Sequence, residues 1–421
     1  MTMDSRRSHA RFALGLLVTI NLFNYIDRQV LAAVEPDIRA AFFAHGDVNA
    51  MTKTALLGDA FFITYMSAAP LLGLLADRFS RWLIVGTAVI LWSLASGASG
   101  LAATFGMLLA TRVCVGIGEA GYGPAAPTIL SDLYPIETRG RILAIFCAAI
   151  PVGSALGYVI GGVVGAHLGW RWAFYVVTPP GLLLGLLCFW QRDPRVGADR
   201  VVQKSPPRKL SDYVRLFKTR SYLLNCIAQT LMTFVTGGLG YWVPAYLRYR
   251  NQSPAMGMTI FGLITVVAGL GSTLLGGVLG DKLRDRVRGS YFCVSGIGMV
   301  IACPIFVLSL YLPFPAAWLA MFVAIFFLFM NTGPSNTALA NVSVPAVRAT
   351  AFAVNILIIH ALGDVQAFWM IGYVAGHTNM HVAFLFVSSI ILVSGFVWIF
   401  AARYLPEDTA AVEDSIAHGS A

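Results

Sequence analysis

Six ionisable side chains stand inside long apolar runs of this chain: Asp27, Arg28, Arg112, Glu119, His360 and Asp364. A charge at membrane depth is costly and is retained where it binds something. A carboxylate there can hold a proton, and an arginine offers a rigid fork that suits a phosphate or a carboxylate. Spacing sorts the six. Asp27 and Arg28 are neighbours, so a helix turns them about 100° apart. Arg112 and Glu119 are seven residues apart and lie near one helix face. His360 and Asp364 are four apart, also on one face, where a local hydrogen bond closing a polar seam is the simpler account.

Depth narrows the pairings. At a rise of about 1.5 Å per residue, Asp27 lies about 24 Å from Arg11 and about 13 Å from Pro36. Arg112 lies about 10 Å past the outer start of its own run. Both then sit in the outer half of a membrane, and Asp27 is expected to pair with Arg112, directly or through water. Arg28 points elsewhere. Glu119 balances Arg112 or Arg28, or forms a second proton site. The competing expectation is a buried neutralising network with no carrier role.

The elements that must position these groups follow from composition. Hydrophobic residues make up 57% of the 421 and charged residues 12%, and the mean hydropathy is +0.74. A soluble domain has about a quarter of its residues charged, so the chain cannot cover a water-facing surface. Runs of about 20 residues, enough to cross a bilayer, start near Arg11, Thr54, Trp82, Phe105, Arg141 and Arg171, and again near Ser221, Met256, Ser290, Ala316, Arg348 and His381. The expected fold is therefore an all-α membrane protein with twelve transmembrane helices in two six-helix lobes. The lobes span 1–190 and 221–405. A basic linker, 191–220, divides them, and an acidic tail, 406–421, is expected to be disordered. In the linker Leu210, Tyr213, Val214 and Phe217 fit either a short surface helix or a solvated segment.

The net charge of +9 does not form one basic face of the kind nucleic acid needs. Its Arg and Lys gather in alternate loops, which places them and both termini on the cytoplasmic side. The six cysteines lie in apolar runs without metal-ligand spacing, so no disulfide framework, metal or cofactor is expected. Gly116-Ile117-Gly118-Glu119-Ala120-Gly121 matches a dinucleotide fingerprint. That motif works only between a strand and a helix, whereas these residues lie in a membrane helix. No nucleophile–base or metal constellation suggests an enzyme.

A half-length repeat adds a second kind of chemistry. GLLADR (Gly73 to Arg78) and GVLGDK (Gly277 to Lys282) lie 204 residues apart (281 − 77). Each sets Gly, Asp and a basic residue at the end of an apolar run. The Gly would allow close helix contact. Asp77 and Asp281 would accept hydrogen bonds or pair with an Arg, and Arg78, Arg81 and Lys282 would meet the anionic inner leaflet. Contacts of this sort can latch a carrier shut, and the competing reading is a plain polar turn. Asp132-x-x-Pro135-x-x-x-Arg139 and Pro345-x-x-Arg348 form a second matching pair.

Together these strings resemble the major facilitator superfamily over almost the whole chain, with Ser80 where its loop motif usually has Gly. NYIDR (Asn24 to Arg28), the string from Arg112 to Asp132, NTGPSNTALAN (Asn331 to Asn341) and HALGD (His360 to Asp364) resemble its Spinster branch more closely. The resemblance implies a transporter of lysophospholipids or sphingosine-1-phosphate-like lipids, in a bacterial inner membrane, acting as a monomer with protons and membrane lipids as partners. In that frame Asp27 and Glu119 couple to protons. Arg28, Arg112, Asn331, Ser335, Asn336, His360 and Asp364 bind substrate. Asp77, Arg78, Arg81, Arg139, Asp281, Lys282 and Arg348 gate the cytoplasmic side. Aromatics such as Phe23, Tyr25, Phe61, Phe62, Tyr65, Phe234 and Trp242 would hold an acyl chain or simply pack. Two other functions stay open: a proton-coupled symporter of small organic anions on the same fold, and a membrane sensor on a transporter scaffold.

Overall fold

A computed structural model of the chain describes residues 3–193, 216–344 and 347–417. Most of the expected linker, with Leu210, Tyr213 and Val214 of its candidate surface helix, and Pro345 lie outside them, while Phe217 is described and exposed. Among the described residues every regular element is a helix. In order they are α1 (Met3–Phe42), α2 (Ala50–Arg78), α3 (Arg81–Gly100), α4 (Phe105–Tyr122), α5 (Ala125–Leu133), α6 (Ile136–Leu168) and α7 (Trp170–Cys188). There follow α8 (Arg220–Tyr249), α9 (Pro254–Leu283), α10 (Ser290–Tyr311), α11 (Ala316–Phe329), α12 (Thr332–Asn341) and α13 (Arg348–Ile359). A π-helical turn, His360–Asp364, joins α13 to α14 (Val365–His377), and α15 (Met380–Ala401) and α16 (Leu405–Ala417) end the chain.

Apolar length makes these helices, and polar residues end them. Thr104 accepts a hydrogen bond from the Met107 amide at the start of α4, and Asn379 accepts one from Val382 at the start of α15, each satisfying a free helix amide. Gly169 separates α6 from α7 at φ 91°, a conformation that favours glycine. Ten runs among the described residues are long and apolar enough to cross a membrane. In two of them a break lies inside the run: α11 with α12, and α13 through α14. Neither α1 nor α4 is among the ten. They carry Asp27 and Arg28, and Arg112 and Glu119, which lower their mean hydropathy.

The chain divides into two compact units. One is Met1–Val201 with Gly240–Leu263, and the other is Val202–Leu239 with Ile264–Ala421. The expected lobes, 1–190 and 221–405, differ from this division chiefly in the block 240–263. Local packing explains why the block joins the first unit. Tyr158 donates to the Gly240 carbonyl at 2.6 Å, and Tyr241 donates to the Thr54 carbonyl at 2.7 Å. Gly262 lies against the Ala155 backbone, and Gly162 against Met258. Arg248 grips Asp37 through two bonds of 2.8 and 3.1 Å.

Glycine spacing sets the tightest helix contact in the first unit. Gly153, Gly157 and Gly161 recur every four residues on one face of α6. A Cβ at these three would stand 2.5 Å from the Leu22 carbonyl oxygen, the Ile26 carbonyl oxygen and the Ala33 Cβ of α1. Small residues at this interval let membrane helices approach closely. The repeat glycines behave differently. Gly73 and Gly277, expected to make such contacts, face open space among the described residues, as does Gly269. In α9 the close approaches fall instead at Gly276, against the Met330 carbonyl, and at Gly280, against Tyr291.

The acidic tail, expected to be disordered, forms α16. Its first turn carries Glu407 and Asp408, which favour a helix N-terminus. Asp408 Oδ2 accepts hydrogen bonds from the Ser221 amide at 2.8 Å and the Ser221 hydroxyl at 2.5 Å. The tail thus supplies an acceptor for the start of α8, and Leu405 and Val412 of the same helix are buried.

Replacing Gly157 with Leu should overfill the α1–α6 contact and lower stability by about 1–3 kcal/mol, whereas Gly269→Leu should be neutral. Thermal unfolding of the detergent-solubilised proteins, followed by size exclusion, reads the difference. Equal melting temperatures would show that α6 does not seat on α1 as described.

Candidate substrate and proton site

In the first unit, α1, α3 and α4 bring two acids and two arginines together, with Asp27, Arg112 and Glu119 buried and Arg28 part-buried. Arg112 Nη1 stands 3.9 Å from Asp27 Oδ2, with the residues 2% and 3% exposed. That separation is an ion pair without a hydrogen bond. Each partner is instead bonded to α3. Ser96 donates its hydroxyl to Asp27 Oδ1, and Arg112 Nη2 donates to Ser99 Oγ at 2.5 Å. Thr111 shares a hydroxyl–hydroxyl bond with Ser99 at 2.8 Å. Asp27 Oδ2 and Arg112 Nε have no hydrogen-bond partner among the described residues. A buried charge that lacks a bond keeps an unmet demand for one.

The neighbouring pair is closed. Arg28 Nε donates to Glu119 Oε2 at 2.8 Å, and its Nη2 lies 2.7 Å from the same oxygen. Four rings surround the guanidinium, with centroids 5.1 Å (Tyr25), 4.8 Å (Phe61), 5.8 Å (Phe62) and 5.4 Å (Tyr65) away. Stacked in this way, an arginine gains cation–π attraction where water is scarce. Four of the aromatics considered for an acyl chain therefore enclose a cation. The one-residue step on α1 and the seven-residue step on α4 produce two pairs, each electrically neutral.

The second unit holds a different arrangement. His360 Nδ1 and Asp364 Oδ2 are 2.5 Å apart across the π-helical turn. One extra residue in a turn re-aims a side chain, which is why such turns mark functional sites. Here Asp364 faces Gly237 of α8, where any Cβ would collide with its carboxylate. Gly363 lies against the Thr230 carbonyl of the same helix. Asn331 is fully buried and donates to the Leu328 carbonyl of its own chain segment. Ser335 is 1% exposed, and its carbonyl accepts from Asn225 at 3.2 Å. Asn336 is exposed and bonds back to the Thr332 carbonyl. Of the three residues expected to line a cavity, two are buried and one is exposed.

The expected gate residues also divide. Side chains of Asp77 and Arg139 lie outside the described residues. Arg78 and Lys282 are exposed, as is Asp281, which accepts a hydrogen bond from Tyr291 at 2.9 Å. Arg348 donates to the Ser343 carbonyl at 3.3 Å. Arg81 is the exception, 5% exposed and paired with Asp132 at 2.6 Å and Asp193 at 3.3 Å. Asp193 also accepts the Arg81 amide at 2.8 Å. Arg81 therefore ties α3, α5 and the end of α7 together within the first unit.

Residues 17–365 match the Major Facilitator Superfamily. Among curated proteins, the chain is 32% identical over 447 residues to "Protein spinster homolog 3" of Danio rerio, covering 98% of this chain and 88% of that one. The chain belongs to the Spinster family. It is a multi-pass membrane transporter rather than an enzyme, and the superfamily implies a transported small molecule. The "Sphingosine-1-phosphate transporter SPNS2" of Xenopus tropicalis is 33% identical over 385 residues, which is 86% of this chain and 73% of that one. The fold agrees with a solved bacterial homologue of the human lysosomal transporter Spinster in an inward-facing, unoccupied conformation. Its TM-score is 0.85 at 21% identity, over 95% of this chain and 98% of that one.

Other polar groups of the family fold were not singled out by the sequence. Ser96 and Ser99 complete the Asp27–Arg112 site, and their one-turn spacing in an apolar run was the available signal. Asp193 is an acid at the head of a basic linker. Glu35 and Asp59 are further buried carboxyl residues, 0% and 6% exposed.

Glu119→Gln should leave the part-buried Arg28 without its carboxylate and cost up to about 3–5 kcal/mol. Arg28→Gln combined with Glu119→Gln should cost less than the sum of the two single changes. A double-mutant cycle on thermal stability checks the coupling, and strict additivity would contradict it.

Proposed function

We propose that this chain is a proton-coupled secondary transporter of an amphipathic lipid with an anionic head, of the lysophospholipid or sphingosine-1-phosphate type. It works by alternating access in a bacterial inner membrane, with both termini cytoplasmic. One observation carries the reading: of two neighbouring ion pairs, Asp27–Arg112 is held apart at 3.9 Å while Arg28–Glu119 is closed at 2.7 Å. Arg112 keeps an unbonded Nε, from which an incoming phosphate or carboxylate would accept a hydrogen bond. The head group then competes with Asp27 for the guanidinium. Asp27, deprived of its counter-charge in an apolar surround, binds a proton. Substrate loading and proton loading become one event. Glu119 stays with Arg28, so the second pair keeps α1 and α4 neutral while the first exchanges partners. The lipid class rests on the family and on what is said of the Xenopus tropicalis relative. His360 and Asp364 supply a second polar locus in the other unit, and the exposed basic ends of α2 and α9 contribute to gating.

In proteoliposomes with an imposed pH gradient, wild-type protein should move lysophosphatidylglycerol or sphingosine-1-phosphate in a pH-dependent way. Asp27→Asn should remove that dependence, and a variant that retains it ends the proton assignment. Arg112→Ala should weaken binding of the same lipids at least about tenfold, since a charged hydrogen bond is lost. Unchanged affinity would exclude Arg112 as the head-group ligand. Transport of short sugar acids, with none of the lipids, would favour the organic-anion reading.

A further inference from the structure

Glu35 lies on α1 eight residues past Asp27, about 12 Å along the helix, and is 0% exposed. Oε1 accepts the Thr54 hydroxyl of α2 at 2.6 Å, and Arg39 Nε stands 3.5 Å from the same oxygen. Oε2 is buried with no hydrogen-bond partner among the described residues. A carboxylate bonded on one oxygen and bare on the other is poorly solvated as an anion. Adding a proton to the bare oxygen removes the charge that the apolar surround opposes.

The groups facing Glu35 come from three helices. Arg39 and Asp37 share α1 with it, Thr54 comes from α2, and Tyr241 and Arg248 come from α8. Arg248 is held by Asp37 through two bonds, so its charge is already matched. That leaves Arg39 as the counter-ion of Glu35. Tyr241 donates to the Thr54 carbonyl, and its ring also lies within electrostatic reach of Asp59 and Arg112. Glu35 and Arg112 therefore both lie within electrostatic reach of one tyrosine.

We propose that Glu35 is a second proton-binding station of this carrier, at the Asp37 end of α1. It takes a proton from water on Oε2, forming an O–H bond, and returns it to water when the end of α1 next opens. Loading leaves Arg39 without its ion-pair partner, which loosens the contact among α1, α2 and α8. The station then couples the state of this end of the first unit to pH on that side of the membrane. The proposal extends the proton-coupled reading above, and its test reads the carboxyl group directly.

The experiment is pH-difference infrared spectroscopy on the full-length protein purified in detergent, following the protonated-carboxyl C=O stretch across about pH 4 to 9, the range in which carboxyls near their ordinary or raised values titrate. Glu35→Gln should remove one titrating band that both Asp27→Asn and Asp59→Asn retain. Arg39→Gln should move the midpoint of that band upward by about one pH unit or more, because its cation favours the carboxylate. Thr54→Val, which keeps the carboxyl but deletes its donor, should shift the same band if Glu35→Gln proves unstable. A Glu35→Gln spectrum equal to wild type overturns the proposal, as does loss of the band only in Asp59→Asn. Failure of the wild-type carrier to respond to pH would instead refute the transport reading, which the spectrum does not depend on.

Discussion

The first unit is organised by the requirement that four charges in apolar surroundings sum to zero. An unpaired charge at membrane depth is expensive, so α1 and α4 must meet with Asp27 facing Arg112 and Arg28 facing Glu119. That requirement fixes the rotation of both helices. It also explains why α3 supplies Ser96 and Ser99, since neither member of the looser pair satisfies the other by a direct hydrogen bond.

The two pairs have unequal fates because their surroundings differ. Arg28 is clamped by a carboxylate and four aromatic rings, and any ligand would have to displace all of them. Arg112 has one ring, Phe174, at 5.4 Å and a hydroxyl. In the proposed mechanism the second arrangement is the one that binds and releases, because substrate and carboxylate can exchange on one guanidinium. The glycine face of α6 packs directly against α1, the helix that carries Asp27. Further along α1, Thr54 of α2 donates to Glu35, and Tyr241 of α8 donates to the Thr54 carbonyl.

The second unit uses backbone geometry more than charge pairing. Its π-helical turn presses Asp364 against a glycine of α8. Buried amides complete the unit: Asn355 donates to Gln229, and the Trp398 ring N–H donates to Asn225. These bonds satisfy polar groups in the interior, as burial demands. The tail helix α16 joins the same unit through Asp408, which serves the start of α8, and through the buried Leu405 and Val412.

The membrane fold, its helical class and the positions of six ionisable groups within apolar runs were legible in the sequence, because apolar length and local spacing are properties of the chain itself. Depth arithmetic also put Asp27 level with Arg112. The partner of Glu119 was not legible. Its two candidates sit on different helices, and which one it meets depends on how α1 is rotated against α4. Glu35 went unnoticed because Pro36 reads as the end of a span, yet α1 continues through that proline to Phe42 and buries the acid. Gly73 and Gly157 look equally suited to close packing, but only Gly157 has a helix across from it. Asp408 reads as part of a solvated tail until Ser221, 187 residues away, is brought beside it. Hydrophobicity and helical period are local and so are written in the residues. Rotation, contact and long-range bonding are set by which helix lies opposite, and only the tertiary structure decides that.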